Sequence, residues 1–220
     1  MQNQNGEWID DQQRIETTIL EYFANIFKSD FPSNFAESLD AISPRVTSDM
    51  NKELLAEFKA VKVWKALKQM HPTKAPGRNN MSLLFFHKYW DVVGSDVISC
   101  VLEVLNSGVL PCELNETYIS LIPKVASPQK ITEFRPISLC NVVYKTISKV
   151  LENRLKRILR EVIDESQSAF VSGRSITDNV LVAFETMHCI DQRRKGKEAL
   201  MAVKLDIRPM IGSNGHILKP

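Results

Sequence analysis

Tyr118-Ile119-Ser120-Leu121-Ile122-Pro123-Lys124 and, after a polar stretch, Phe134-Arg135-Pro136-Ile137-Ser138 are the two runs on which the fold reading turns. The first is β-branched and aromatic and is bounded by Pro123, which predicts a strand over 118–122. Residues 125–133 are polar and include Pro128, so they read as a loop, and 134–138 as a short return strand. Lys124 closes the first strand and Arg135 opens the second. If the strands pair, both cations fall on one side, where a point charge and a planar fork together suit a triphosphate. On spacing alone, a solvated hairpin with two scattered charges is the commoner case.

The runs on either side are helical. In residues 8–27, Ile15, Ile19, Tyr22, Phe23 and Ile26 keep a 3.6-residue period. Residues 29–48 hold Pro32 and Pro44 and read as a loose connection. A second helix is expected over 49–70, with Val61, Trp64, Leu67 and Met70 on one face and His71-Pro72 as its stop. Two more are expected over 83–93 and 95–106, closed by Asn106-Ser107-Gly108. The clearest helix covers 141–163, where Val143, Ile147, Val150, Leu151 and Ile158 line one face. Another is expected over 176–192. Ala199 to Leu205 is apolar and short, which predicts a buried strand leading to Asp206. The class is therefore α+β, mainly helical.

Composition sets limits on function. The chain has 220 residues, 44% hydrophobic and 25% charged, which is ordinary globular usage and excludes fibrous and wholly disordered classes. The net charge of +2 argues for no partner by itself. Its distribution is uneven, −5 over residues 1–121 and +6 over 122–197, which permits a polyanion on one side only. No apolar run approaches the roughly 18 residues that span a bilayer, and the start is polar, so an intracellular protein, in nucleus or cytoplasm and neither secreted nor membrane-bound, is expected. Cys100, Cys112, Cys140 and Cys189 form no Cys-x-x-Cys pair and read as reduced thiols.

Three further constellations have residue types that suit chemistry. Asp206, behind an apolar strand, has the hard oxygens that bind Mg²⁺, although strand-end aspartates also form turns. Lys145, Lys149 and Arg157 belong to a basic helix face that runs from Lys145 to Arg160 and either tracks a phosphate backbone or is simply solvated. No aromatic residue interleaves there, so base stacking is not indicated. Gln167-Ser168-Ala169-Phe170-Val171-Ser172-Gly173-Arg174 is a loop in which Arg174 either contacts phosphate or closes an ordinary turn.

Taken in order, Lys74-Ala75-Pro76-Gly77, Phe85-Phe86-His87-Lys88-Tyr89-Trp90, Leu121-Ile122-Pro123-Lys124, Phe134-Arg135-Pro136-Ile137-Ser138-Leu139, Gln167 to Arg174 with Asp178-Asn179, and Val203-Lys204-Leu205-Asp206 resemble the reverse transcriptase of plant non-LTR (LINE-type) retrotransposons. The resemblance covers residues 8–207. It implies a partial right-hand polymerase: 1–110 a helical N-terminal extension, 111–207 the fingers and first palm strand, and 208–220 an aberrant, disordered tail, with the remaining palm and thumb missing. It implies that Lys124 and Arg135 grip the phosphates of a deoxynucleoside triphosphate, that Asp206 is a catalytic ligand of Mg²⁺, and that Arg174 lies near an RNA template or DNA primer. Two stretches depart from the family. Lys-Ala-Pro-Gly is usually followed by Pro-Asp-Gly, where Arg78-Asn79-Asn80 stands here, and after Ile207 the family text gives way to Arg208-Pro209-Met210-Ile211-Gly212. Tyr22, Tyr89, Tyr118 and Tyr144 are followed by Phe, Trp, Ile and Lys, so the family's Tyr-x-Asp-Asp hairpin has no counterpart in these residues. The expectation is a truncated chain, from a frameshift, a misjoined exon or a decayed element, that does not polymerise DNA alone. The alternatives are a non-enzymatic nucleic-acid-binding fragment and an inert product.

Overall fold

A computed structural model describes residues 1–2, 6–28, 39–40, 43–169, 171–192 and 201–203. The elements in chain order are α1 (Gln12–Phe27), α2 (Ser48–Leu55), α3 (Ala60–Gln69), α4 (Leu83–Lys88), α5 (Trp90–Ser107), α6 (Cys112–Asn115), β1 (Tyr118–Pro123), a 3₁₀ turn (Ile131–Glu133), β2 (Phe134–Leu139), α7 (Val142–Leu155), α8 (Leu159–Val162) and α9 (Ile176–Gln192). The mainly helical α+β class follows directly. The described parts of residues 1–36 and 57–151 form one compact unit, and those of 37–56 and 152–209 form another.

The core lies in the first unit. Val63, Leu67 and Met70 meet Leu83 and Phe86, then Val97, Val101 and Val104, then Val142 and Ile147. The sets on α3, α4 and α5 recur at three or four residues, and Val142 and Ile147 lie five apart on α7, so these four helices turn apolar sides to one core. Trp64 and Trp90 stack beside it with ring centroids 4.4 Å apart. A Cβ on Gly94 would stand 2.7 Å from the Trp90 indole, so the glycine makes room for that ring. Gly108, at φ 73°, closes α5 in the left-handed conformation expected of its glycine.

Three helical stretches break where periodicity ran on. The expected 49–70 helix is two: the Phe58 amide goes to Asn106 Oδ1 at 3.4 Å instead of continuing the helical ladder. The expected break near Gly94 falls at Tyr89 instead, at φ −108° and ψ 27°. Beyond Leu155 the 141–163 stretch tightens through Arg157 N–H to Arg154 O and Ile158 N–H to Leu155 O, and Ile158 is buried as α8 begins. Of the strand expected over 199–205, only residues 201–203 are described; they carry no strand assignment, and Met201 and Val203 are exposed. Asp206 and the tail from 208 lie outside the described residues.

Candidate nucleotide site on the hairpin

β1 and β2 pair antiparallel with Tyr118 opposite Leu139, Ser120 opposite Ile137 and Ile122 opposite Arg135. The Lys124 amide donates to Glu133 O at 2.7 Å, so the ladder runs one step past Pro123. Side chains alternate across a strand, so Lys124 and Arg135 share a face as diagonal neighbours, together with Ser120, Ile122 and Ile137. On the opposite face Leu121, Phe134 and Pro136 are half-buried. The cationic face is the open one: Ile122 and Ile137 remain exposed there.

The acid nearest these cations is occupied elsewhere. Glu133 Oε2 accepts the Gln129 and Lys130 amides at 2.6 and 3.1 Å. Those two backbone bonds hold its carboxyl below the usual glutamate range. Lys124 Nζ donates to Thr132 O at 2.7 Å, which folds the ammonium over the loop. The Arg135 side chain makes no hydrogen bond or ion pair among the described residues. An exposed guanidinium with its five donors spare, on the same strand face as an ammonium with two protons spare, has the chemistry to take phosphate oxygens.

The Lys74-to-Asn80 loop docks against the start of α7, which follows β2. A Cβ on Gly77 would lie 2.3 Å from Asn141 N and 2.5 Å from Cys140 C, so only glycine permits this backbone-on-backbone contact. Lys145 Nζ donates to Ala75 O at 2.5 Å. Burial lowers the Lys145 pKa, and the neighbouring Lys74 ammonium lowers it further. Asn80 adopts φ 54°, and Asn79 Oδ1 accepts the Met81 amide at 3.2 Å. Asparagine tolerates the left-handed region and its amide oxygen accepts a main-chain N–H, so Arg78-Asn79-Asn80 forms a turn. Beside it an open cleft of about 580 Å³ is lined by Arg78, Asn79, Glu113, Glu116 and Asn141. Its polar walls already bond within the protein: Arg78 pairs with Glu116, and Asn141 gives its amide to Leu114 O and takes the Tyr144 N–H.

The other singled-out cations are engaged within the chain. In the second unit Arg157 pairs with Glu53. Arg174 donates to four carbonyls, those of Asp164, Gln167, Ile163 and Arg160, which fixes the 164–174 loop. Lys149, on α7, is not free either. Spacing alone could not reveal these bonds, because a satisfied cation and a solvated one read alike in sequence. No three His, Cys, Asp or Glu side chains among the described residues converge to hold a metal ion. No helix among them is long and apolar enough to cross a membrane.

Residues 122–210 match the family described as reverse transcriptase (RNA-dependent DNA polymerase), a match that contains Lys124 and Arg135. Over 187 residues the chain is 30% identical to the transposon TX1 uncharacterized 149 kDa protein of Xenopus laevis. That similarity takes in 84% of this chain but 14% of the frog protein, so the chain spans about one seventh of its relative's length. Both findings support a reverse transcriptase fragment from a transposable element.

Proposed function

We propose that this chain is the nucleotide-gripping fingers portion of a non-LTR retrotransposon reverse transcriptase, and that these 220 residues do not synthesise DNA unaided. The observation that carries the reading is the β1–β2 register, which sets Lys124 and Arg135 on one open face inside the stretch matching the family. Their work is to bind and orient. Arg135 offers a planar fork to two phosphate oxygens and Lys124 a point charge to a third, which neutralises the triphosphate of an incoming deoxynucleotide. In the family a divalent ion supplies the activation of the primer hydroxyl and the neutralisation of the leaving pyrophosphate. Asp206 is our proposed ligand for it and lies outside the described residues. Template and primer contacts by Lys145, Lys149, Arg157 and Arg174 belong to the same proposal.

Two measurements test it. Fluorescent deoxynucleoside triphosphate should bind the purified chain and lose about 10- to 100-fold in affinity for each of Lys124→Ala and Arg135→Ala, the value of a hydrogen bond to a charged group. Unchanged affinity in both variants would remove the site. Primer extension on an RNA template with Mg²⁺ or Mn²⁺ should give no template-dependent product, and incorporation by the chain alone would overturn the second half of the proposal.

A further inference from the structure

Residues 58–90 carry seven cations, Lys59, Lys62, Lys65, Lys68, Lys74, Arg78 and Lys88, and no acidic residue. All 26 acids of the chain fall in the other 187 positions, a density that would put about four or five in this window. The chain's −5 over residues 1–121 conceals this island. Four of the cations are on α3 or at its start. Val63, Ala66 and Leu67 turn the inner side of α3 into the core, while Lys59, Lys62, Lys65 and Lys68 are all exposed.

No ion pair among the described residues neutralises that side. None of the four lysines has an ion-pair partner among the described residues. Elsewhere the solvated helix faces mix signs, as in Lys52 with Asp49 on α2 and Lys156 with Glu152. On α3 the lysines repeat at three-residue intervals, a like-charge spacing that opposes the helix at each step. Only Lys68 is braced, its ammonium 4.4 Å above the Trp64 ring. The other side of Trp64 is stacked on Trp90. With its indole faces occupied, this surface offers charge and no platform for a base.

We propose that the outer side of α3 is a nucleic-acid backbone-binding surface, separate from the nucleotide site on the hairpin, that holds the phosphates of an RNA strand without reading its sequence. The choice of RNA as the polyanion rests on the function proposed above, whereas the unneutralised cationic side does not. Each phosphate-bound lysine releases counterions, so binding through Lys62, Lys65 and Lys68 carries a defined salt signature.

The test is fluorescence anisotropy of the full chain with a labelled single-stranded RNA between 50 and 400 mM salt. Replacing Lys62, Lys65 and Lys68 by glutamine should flatten the slope of log K against log salt by about 2 and weaken binding about 100-fold at 0.1 M, with the difference vanishing towards 1 M. A Lys62→Gln/Lys65→Gln variant, which leaves the Lys68–Trp64 contact intact, should flatten the slope by about 1.4. A Lys→Arg triple variant should bind like the parent. The proposal fails if the glutamine variants keep the parental slope, if the parent does not bind RNA, or if a poly-glutamate peptide competes as well as RNA does. The Lys124→Ala and Arg135→Ala variants separate the two readings. Loss of triphosphate binding with intact RNA affinity supports both; intact triphosphate binding in those variants, with RNA binding still dependent on α3, removes the hairpin site alone.

Discussion

Gly77 shows how one residue can carry a motif. The Lys-Ala-Pro-Gly text is short and by itself unspecific, but the contact it makes allows no side chain: a Cβ there would stand 2.3 Å from a main-chain nitrogen, which cannot swing aside as a flexible side chain can. The same loop delivers the Ala75 carbonyl to Lys145. Gly77→Ala should therefore destabilise the first unit by about 2 kcal/mol, in the range of overpacked interiors, and free the Lys145 ammonium together with it. Urea unfolding measures the first effect and acetylation of Lys145 the second. A variant as stable as the parent would mean that the loop is not seated on α7. Asn80 and Arg174 follow the same logic with opposite legibility. Asn80 could be expected in a turn from its type, because asparagine accepts a positive φ. Arg174 looked like a phosphate ligand, and its four carbonyl acceptors came to light only in three dimensions.

At the scale of elements, the β1–β2 hairpin is held at its tip by a carboxylate rather than by a tight turn. Glu133 takes two loop amides, and its pKa lies below the ordinary glutamate value because those bonds favour the charged form. A group with a lowered folded-state pKa stabilises above its unfolded value of about 4.3, and that contribution disappears as pH falls through the folded value. Amide exchange at Gln129 and Lys130 should accordingly quicken, relative to the intrinsic rate, as pH drops below about 4, whereas Glu133→Gln should show no such step. Exchange NMR decides it, and a step of equal size in the glutamine variant would assign the effect to another group. Asp164, whose pKa is lowered first by the Ser166 amide, titrates in the same direction in the second unit, so the hairpin amides must be followed individually. The two strands were legible because prolines bound them, and α7 because its apolar period runs over several turns. The four-residue α6 and the 3₁₀ turn were not, being shorter than the pattern that would announce them, whereas α8 falls inside the helix expected over 141–163 and only the break before it was missed. The break between α2 and α3 was illegible for another reason: its cause is an asparagine 48 positions away.

Over the whole molecule, burial and charge are distributed unevenly, and both bear on behaviour in solution. The ten core residues belong to the first unit, whereas Ile158, Ser168 and Val171 are the buried residues of the second among those described. α9 buries nothing. Yet Ile176, Val180, Phe184 and Met187 recur at four, four and three residues, the stripe of a helix built to be covered. Val180 is 64% exposed and Phe184 72% exposed. An apolar stripe of that length in water promotes association between chains, and the lysines of α3 do not offset it, since like charge repels at long range but does not shield a contact patch. Val180→Lys with Phe184→Lys should therefore raise the concentration at which light scattering first detects oligomers and reduce binding of an apolar dye. Because neither side chain is buried, the unfolding free energy should stay within about 0.5 kcal/mol of the parent, as for ordinary surface changes. If the double variant instead lost several times that amount, the stripe would be covered within the chain in solution and α9 would belong to a core. Unchanged scattering and dye binding at unchanged stability would show that the exposed stripe does not drive association.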